Sequence, residues 1–166
     1  MSIRYTFADS ASGRLLLAAT ERGIAAVIFG ENDAQLEKWL RSEFGAKSFE
    51  RDDEGLRKLV APVLDAVAGK RSPTDLPLDP RGTKFQQQVW KALQKIPAGQ
   101  TRSYSQIAES IGRPKAVRAV ARACATNPIS VIVPCHRVIR RDGSLGGYAG
   151  GLERKKELLA REMAMV

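Results

Sequence analysis

The sequence predicts an α/β chain in two parts: a small antiparallel sheet with helices over residues 1–78, then a mostly helical unit over 83–166 that contains a helix-turn-helix. Three observations carry this reading. Short β-type runs at 3–8, 14–20 and 24–29 are punctuated by Gly13 and Gly23. A stretch with Pro73, Pro77, Pro80 and Gly82 reads as an extended linker over 72–82. Two helix-opening boxes, Thr83 with Gln86 and Ser103 with Gln106, come after it. A length of 166 residues is enough for one core, or for two small halves packed together.

In chain order, the three β-type runs form an antiparallel meander. Residues 32–44 follow as a helix with Leu36, Trp39, Leu40 and Phe44 on one face and Gly45 as its stop. Residues 53–68 form a second helix, with Leu56, Leu59, Val60, Val63, Leu64 and Val67 at helical spacing and Pro62 as an interruption. After the linker, a helix from Thr83 carries Phe85, Val89, Trp90 and Leu93 and ends before Pro97. The Ser103 box opens a short helix with Tyr104, Ile107, Ala108 and Ile111, broken at Gly112. Pro114 is placed to start the next helix, 115–125. That helix shows Val117, Val120 and Cys124 on one side and Arg118 and Arg122 on another, which together with its predecessor fits a helix-turn-helix. Residues 130–133 read as a β-type run. Gly143, Gly146, Gly147, Gly150 and Gly151 surround Tyr148 in a loop, and a charged final helix, 152–162, has Leu152, Leu158 and Leu159 as its packing residues.

Charge is distributed unevenly. Residues 1–80 hold 11 Lys+Arg against 13 Asp+Glu, whereas 81–166 hold 16 against 5, within an overall charge of +9. A basic second half suits phosphate contacts and leaves the first half as scaffold; solvated surface charge is the plainer alternative. The first residues lack the apolar core of a signal peptide, and no stretch has the length to span a membrane. Two cysteines fit free thiols in a reducing, cytoplasmic setting. With one histidine they fall short of the four ligands of a structural zinc site.

The chemistry concentrates in Val133-Pro134-Cys135-His136-Arg137-Val138-Ile139. His136 is the only histidine, and it stands beside one of the two cysteines. A nearby base or positive charge favours the reactive thiolate, and Arg137 adds such a charge. Neighbours in a strand or helix point apart, so a bridging water is a more natural relay between Cys135 and His136 than direct contact. A histidine base also needs an orienting acceptor, usually a carboxylate. Read alone, Cys135 also fits a buried structural thiol, a hydrolase nucleophile, or an uninvolved thiol in a DNA-binding regulator.

Pro134-Cys135-His136-Arg137-Val138 resembles the active-site motif of the O6-alkylguanine-DNA alkyltransferases. Further segments match that family in order: Phe85-Gln86-Gln87-Gln88-Val89-Trp90, Ile96-Pro97-Ala98-Gly99, Ser103-Tyr104, Ala116-Val117-Arg118-Ala119-Val120, Asn127-Pro128 and Gly146-Gly147-Tyr148-Ala149-Gly150-Gly151. The match is strong over 83–162 and is similar to the bacterial adaptive-response branch over 84–139. It implies an RNase H-like α/β domain followed by a winged-helix-like domain. It also implies single-use transfer of an alkyl group from O6 of guanine to Cys135, and leaves open whether O4-alkylthymine is a substrate as well. It implies no metal or organic cofactor. His136 would act through water, Glu162 would orient it, Asn127 would hold the network, and Tyr104 would give a hydrogen bond to the leaving base. Val138, Tyr148, Ala149, Gly150 and Cys124 would form the pocket. Arg118 would fill the vacated base stack, and Tyr104, Ala119, Arg122, Ser103 and Lys115 would contact DNA. The partner implied is double-stranded DNA bearing O6-alkylguanine, bound through its minor groove by a monomer away from membranes. Ser105, Cys124 and the basic pair Arg140-Arg141 depart from the commoner family pattern and leave alkyl-group preference open.

Overall fold

The computed structural model describes residues 1–70 and 75–165. Its first three strands, β1 (Ser2–Ser10), β2 (Gly13–Thr20) and β3 (Gly23–Gly30), form the expected antiparallel meander. Period-two alternation sends Leu15, Leu17 and Ala19 to one face and Leu16 and Ala18 to the other, and both faces are buried. Helix α1 (Asp33–Glu43) covers the second face with Leu36 and Leu40. It starts where the Asn32 side chain accepts a hydrogen bond from the Gln35 N–H.

A fourth strand, β4 (Ser48–Arg51), pairs in parallel with β1 and gives the order β3-β2-β1-β4. The sheet is therefore mixed. Ser48-Phe49-Glu50-Arg51 has one apolar residue and no alternation, so this edge strand leaves no periodic trace in the sequence. Helix α2 (Arg57–Val67) begins later than residue 53 because Asp52 closes a turn by accepting the Gly55 N–H, while Asp53 is engaged by Thr6 and Arg51. It runs through Pro62 without ending.

Residues 72–74 of the expected linker lie outside the described residues. The rest is not a free connection, because it seals the edge of β3. The Ile24 N–H donates to the Pro77 carbonyl at 2.8 Å and the Asp79 N–H to the Ile24 carbonyl at 2.7 Å. Gly23 is required here: its φ is +152°, and a Cβ would lie 2.5 Å from the Pro77 carbonyl.

Helices α3 (Lys84–Leu93) and α4 (Tyr104–Ser110) open on the capping boxes at Thr83 and Ser103, both reciprocal hydrogen bonds being present in each. Helix α5 (Val117–Ala125) starts two residues later than expected. Pro114 and Lys115 lie instead in a turn in which the Ala116 N–H reaches the Arg113 carbonyl. Residues 130–133 are not a strand. They coil tightly, with Val131 at φ +72°, a strained position for a β-branched residue. The pairing occurs one residue earlier: the Val27 N–H donates to Pro128 and the Ser130 N–H to Val27, each at 2.9 Å. The sheet and the segment leading to Cys135 are thereby joined.

A short parallel pair, β5 (Arg102–Ser103) with β6 (Val138–Ile139), fixes the start of α4 beside the segment that follows Cys135. One core runs from Leu15, Leu17 and Val27 through Val89, Trp90 and Leu93 to Val120, Cys135 and Val138, so the two halves share an interior. Trp90, fully enclosed, satisfies its indole N–H on the Ala123 carbonyl at 2.8 Å. Helix α6 (Leu152–Ala164) closes the structure. Its first leucine does not pack, Leu152 being 50% exposed, and its buried residues are Lys155, Leu158 and Glu162. Among the described residues no helix is long and apolar enough to cross a membrane.

Candidate active site

Cys135 opens a one-turn 3-10 helix, Cys135–Arg137, held between Pro134 and β6. Asn127, just past the end of α5, positions it. Its amide donates to the Val133 carbonyl at 2.7 Å and to Cys135 Sγ at 3.2 Å, and its oxygen accepts the Ile129 N–H at 2.9 Å. All three bonds are buried, so the asparagine links the helix to the thiol rigidly. Burial pushes the Cys135 thiol up from its ordinary value, against the Asn127 hydrogen bond and the charge of Lys155.

Three residues per turn in a 3-10 helix rotate His136 to a different side from Cys135. His136 Nε2 meets Glu162 Oε1 on α6 at 2.5 Å, and Nδ1, also buried, has no partner among the described residues. Desolvation lowers the histidine below its usual value, partly offset by Glu162, and so favours the neutral ring. With Nε2–H donated to the carboxylate, the lone pair lies on Nδ1. Burial acts to raise the Glu162 carboxyl, but hydrogen bonds from His136 and Arg137 outweigh it and hold it below the ordinary range. Arg137 donates its Nε to Glu162 Oε2 at 2.7 Å and an Nη to the Ile96 carbonyl at 2.6 Å. Glu162 is thus shared by a neutral base and a buried cation.

Cys135 opens onto a cavity of about 490 Å³. Tyr104, Arg118, Arg122, Cys124, Tyr148 and Ala149 line it, with Ala121, Ala125 and Gly147. Tyr148 also meets His136 edge to face, with ring centroids 6.5 Å apart. Burial pushes the Tyr104 phenol up to about 12, so it is a hydrogen-bond donor at neutral pH. Cys124 is likewise raised by burial, and further by Cys135. Gly146, at φ +69°, passes close to this tyrosine: a Cβ there would come within 2.9 Å of Tyr104 Oη.

The structure therefore brings Cys135, His136, Glu162 and Asn127 into one bonded network, and Tyr104, Arg118, Arg122, Cys124, Tyr148 and Ala149 around one cavity. Val138 and Gly150 do not line that cavity. Val138 is wholly buried, and its carbonyl accepts from Lys155. Ser103 caps α4, Ala119 is half-buried on α5, and Lys115 is exposed in the turn before that helix. Two residues are not marked by the sequence as parts of the site: Arg137 reads only as a charge beside His136, and Lys155 as one of several charges on the final helix. The signal for Lys155 was its spacing: 155, 158 and 162 fall on one face of α6, the face that buries Leu158.

Two family models match the chain: the ribonuclease-like domain of 6-O-methylguanine DNA methyltransferase over 3–80, and the DNA binding domain of the same family over 84–164. The bifunctional transcriptional activator/DNA repair enzyme Ada of Escherichia coli is 49% identical over 98% of this chain, which spans 46% of Ada's length. The chain spans about half the length of the first such relatives. A methylated-DNA–protein-cysteine methyltransferase of Methanosarcina barkeri is 45% identical over 95% of this chain and 96% of its own. Among solved structures, Mycobacterium tuberculosis OGT in complex with DNA superimposes with a TM-score of 0.83 at 40% identity, covering 100% of this chain and 95% of that one. With both domain models matched in order across nearly the whole sequence, the chain belongs to the 6-O-methylguanine DNA methyltransferase family.

Proposed function

We propose that the protein repairs DNA by direct reversal, moving a methyl or other alkyl group from O6 of guanine, or from O4 of thymine, onto Cys135 in a single irreversible turnover. The observation that carries this reading is the thiol at the wall of a cavity, next in the chain to a histidine whose Nε2 is bound to a carboxylate and whose Nδ1 has no partner among the described residues and is free to accept a proton. A water between Cys135 and His136 Nδ1 takes the thiol proton and passes one to the ring. Glu162 stabilises the imidazolium that forms, and Arg137 keeps Glu162 ionised. The thiolate attacks the alkyl carbon in line, an S–C bond forms and the C–O6 bond breaks. Guanine leaves with a proton supplied through the Tyr104 hydroxyl. The thioether product has no ready hydrolysis route, so Cys135 is consumed.

The reacting atom lies inside a duplex, so the nucleotide must be turned out of the stack, at a cost of a few kcal/mol. Arg118, exposed on α5 at the cavity mouth, fills the gap. In this reading Ser103, Lys115, Ala119 and Arg122 contact the DNA beside it. Docking in the minor groove needs little base readout, which suits repair at any sequence. The protein acts as a monomer, in the cytoplasm, without cofactor or metal. The units 1–78 and 83–166 divide scaffold from reaction.

Mixing the protein with a duplex containing O6-methylguanine and mapping it by mass spectrometry tests the reading. One methyl on the Cys135 peptide and none after Cys135→Ala is the expected result; multiple turnovers would overturn it. Arg118→Ala should slow repair in duplex DNA more than transfer from free O6-benzylguanine, and equal losses would remove the base-flipping role.

A further inference from the structure

The sequence holds two cysteines, and the fold brings both to the wall of one cavity. Cys135 opens the 3-10 turn, and Cys124 stands in the last turn of α5. Both are free thiols, and each is 6% exposed. Asn127 connects them. Its main-chain N–H donates to the Cys124 carbonyl at 3.3 Å, and its side-chain amide donates to Cys135 Sγ at 3.2 Å. The two sulfurs also lie within electrostatic reach of one another: charge on Cys135 raises Cys124, and charge on either raises Tyr104 in the same wall. No other side chain lining the cavity is a soft nucleophile; the rest are tyrosines, arginines, alanines and a glycine. Alkyl transfer as proposed above uses one thiol and leaves Cys124 without a task.

We propose that Cys124 is a resolving thiol for Cys135: in the presence of a peroxide the two close into an intramolecular disulfide, which holds the acceptor in a form that a thiol reductant recovers. The chemistry balances in two steps. The Cys135 thiolate attacks one peroxide oxygen, the O–O bond breaks, the departing hydroxide takes up a proton to leave as water, and the sulfur becomes a sulfenic acid. The Cys124 sulfur then attacks the sulfenic sulfur, the S–O bond breaks, a second water leaves with the Cys124 proton, and the S–S bond forms. The pair of thiols has lost two electrons and the peroxide has gained them. Cys135 Sγ exchanges its Asn127 hydrogen bond for this new partner. Hydrogen peroxide is small and neutral, so a cavity of about 490 Å³ admits it. Burial holds both thiols protonated at neutral pH, so the first step is slower than at an exposed thiolate and needs the oxidant in excess. The benefit lies in what is prevented. A sulfenic acid without a partner goes on to the sulfinic acid, which thiols do not reverse. An acceptor consumed once loses its whole function by that route. This benefit rests on the repair reading, whereas the bond itself does not.

The test treats the full, reduced chain with excess hydrogen peroxide, blocks the remaining thiols with N-ethylmaleimide in denaturant, and maps the peptides without reductant. Trypsin cuts after Arg122 and Arg137, so one peptide, 123–137, carries both cysteines. The expected product is this peptide about 2 Da lighter than its reduced form, free of maleimide, and restored by dithiothreitol. Cys135 found as sulfinic acid beside a maleimide-blocked Cys124, or disulfides only between molecules, overturns the proposal. Cys124→Ser is the second arm. Its Cys135 should pass to the sulfinic acid, about 32 Da heavier, and dithiothreitol should not reverse it. Methyl transfer from O6-methylguanine DNA is then measured after peroxide and dithiothreitol, each protein scored against its own untreated sample. The fraction recovered should be at least about tenfold greater for the parent than for Cys124→Ser, and equal recovery overturns the protective role. If Cys124→Ser fails to fold, the parent's peptide map alone decides. A parent that forms the bond yet transfers no methyl before oxidation refutes the repair reading and supports the resolving thiol.

Discussion

Arg14 of the N-terminal half reaches Asp33 at 2.7 Å with both side chains part-exposed, and Arg51 meets Asp53 at the surface. In the C-terminal half Glu162, 6% exposed at its side chain, holds His136 and Arg137 together, and Lys155 lies in the interior. The first half carries slightly more acid than base, the second a large excess of base. Yet the basic half is the one that buries a carboxylate. Surface pairs add little to stability because water screens them and their side chains lose freedom. A buried pair costs desolvation and is weak evidence of stability by itself, but breaking it strands a charge. The difference separates a half whose ion pairs lie at the surface from one that encloses charge beside Cys135, as the proposed proton transfer requires.

The hardest break of this contrast is Glu162→Gln. It leaves the volume nearly unchanged, removes the charge that Arg137 needs, and takes away the anion that stabilises a protonated His136. Stability in urea should fall by about 3–5 kcal/mol, as for other buried pairs cut at one partner. Single-turnover transfer should slow by roughly 10²–10⁴, the usual worth of a positioned general base. A loss under about 1 kcal/mol would mean that the triad behaves like a surface pair.

Next in size is the pH dependence of stability. Burial holds His136 below its ordinary 6.5, so the unfolded chain binds that proton first as the medium acidifies. Its contribution is full above about 6.5 and is lost as pH falls through the lowered folded value. Glu162, also lowered, adds a second loss below its ordinary 4.5. Cys135 is raised above its ordinary 9.0, so its contribution is full below that value and is lost as pH rises through the folded one. The urea midpoint should therefore form a plateau between these limits. Cys135→Ala should make the alkaline limb shallower, with Cys124 and Tyr104, both raised, supplying what remains. An unchanged alkaline limb would remove the buried thiol from this account.

Much of this organisation was legible in the sequence, for local reasons. Gly13 and Gly23 mark turns, the Thr83 and Ser103 boxes mark helix starts, and short β-type runs between the glycines mark three strands, because each signal is written within a few residues. What stayed hidden depends on distant partners. The strand β4 exists because β1 offers it an edge, and the Pro-rich segment is ordered because Ile24 offers two hydrogen bonds. Val131 adopts φ +72° because Val27 holds the residues just before it and Asn127 those on either side. The site divides likewise. The sole histidine beside a cysteine is visible by counting, and Glu162 entered through family resemblance. Lys155 and Arg137 look like two more surface cations until their carbonyl and carboxylate partners are located.

The smallest effect is the one that best sharpens the contrast between the halves. Asp33→Asn removes the partner of Arg14 while leaving α1 capped by Asn32 and the guanidinium still beside Asp9. The Arg14 hydrogen bonds hold the Asp33 carboxyl below its ordinary range, but both groups are largely within reach of solvent, so that shift overstates what the pair adds to folding. The expected loss is no more than about 1 kcal/mol by urea denaturation, falling further at high salt. Combined with Glu162→Gln, the two losses should add within about 0.5 kcal/mol, since the sites share no partner. A clear departure from additivity would mean that strain at the start of β2 reaches the Cys135 network through the Val27 to Ile129 pairing, and the first half would then be tuning the proposed reaction rather than only supporting it.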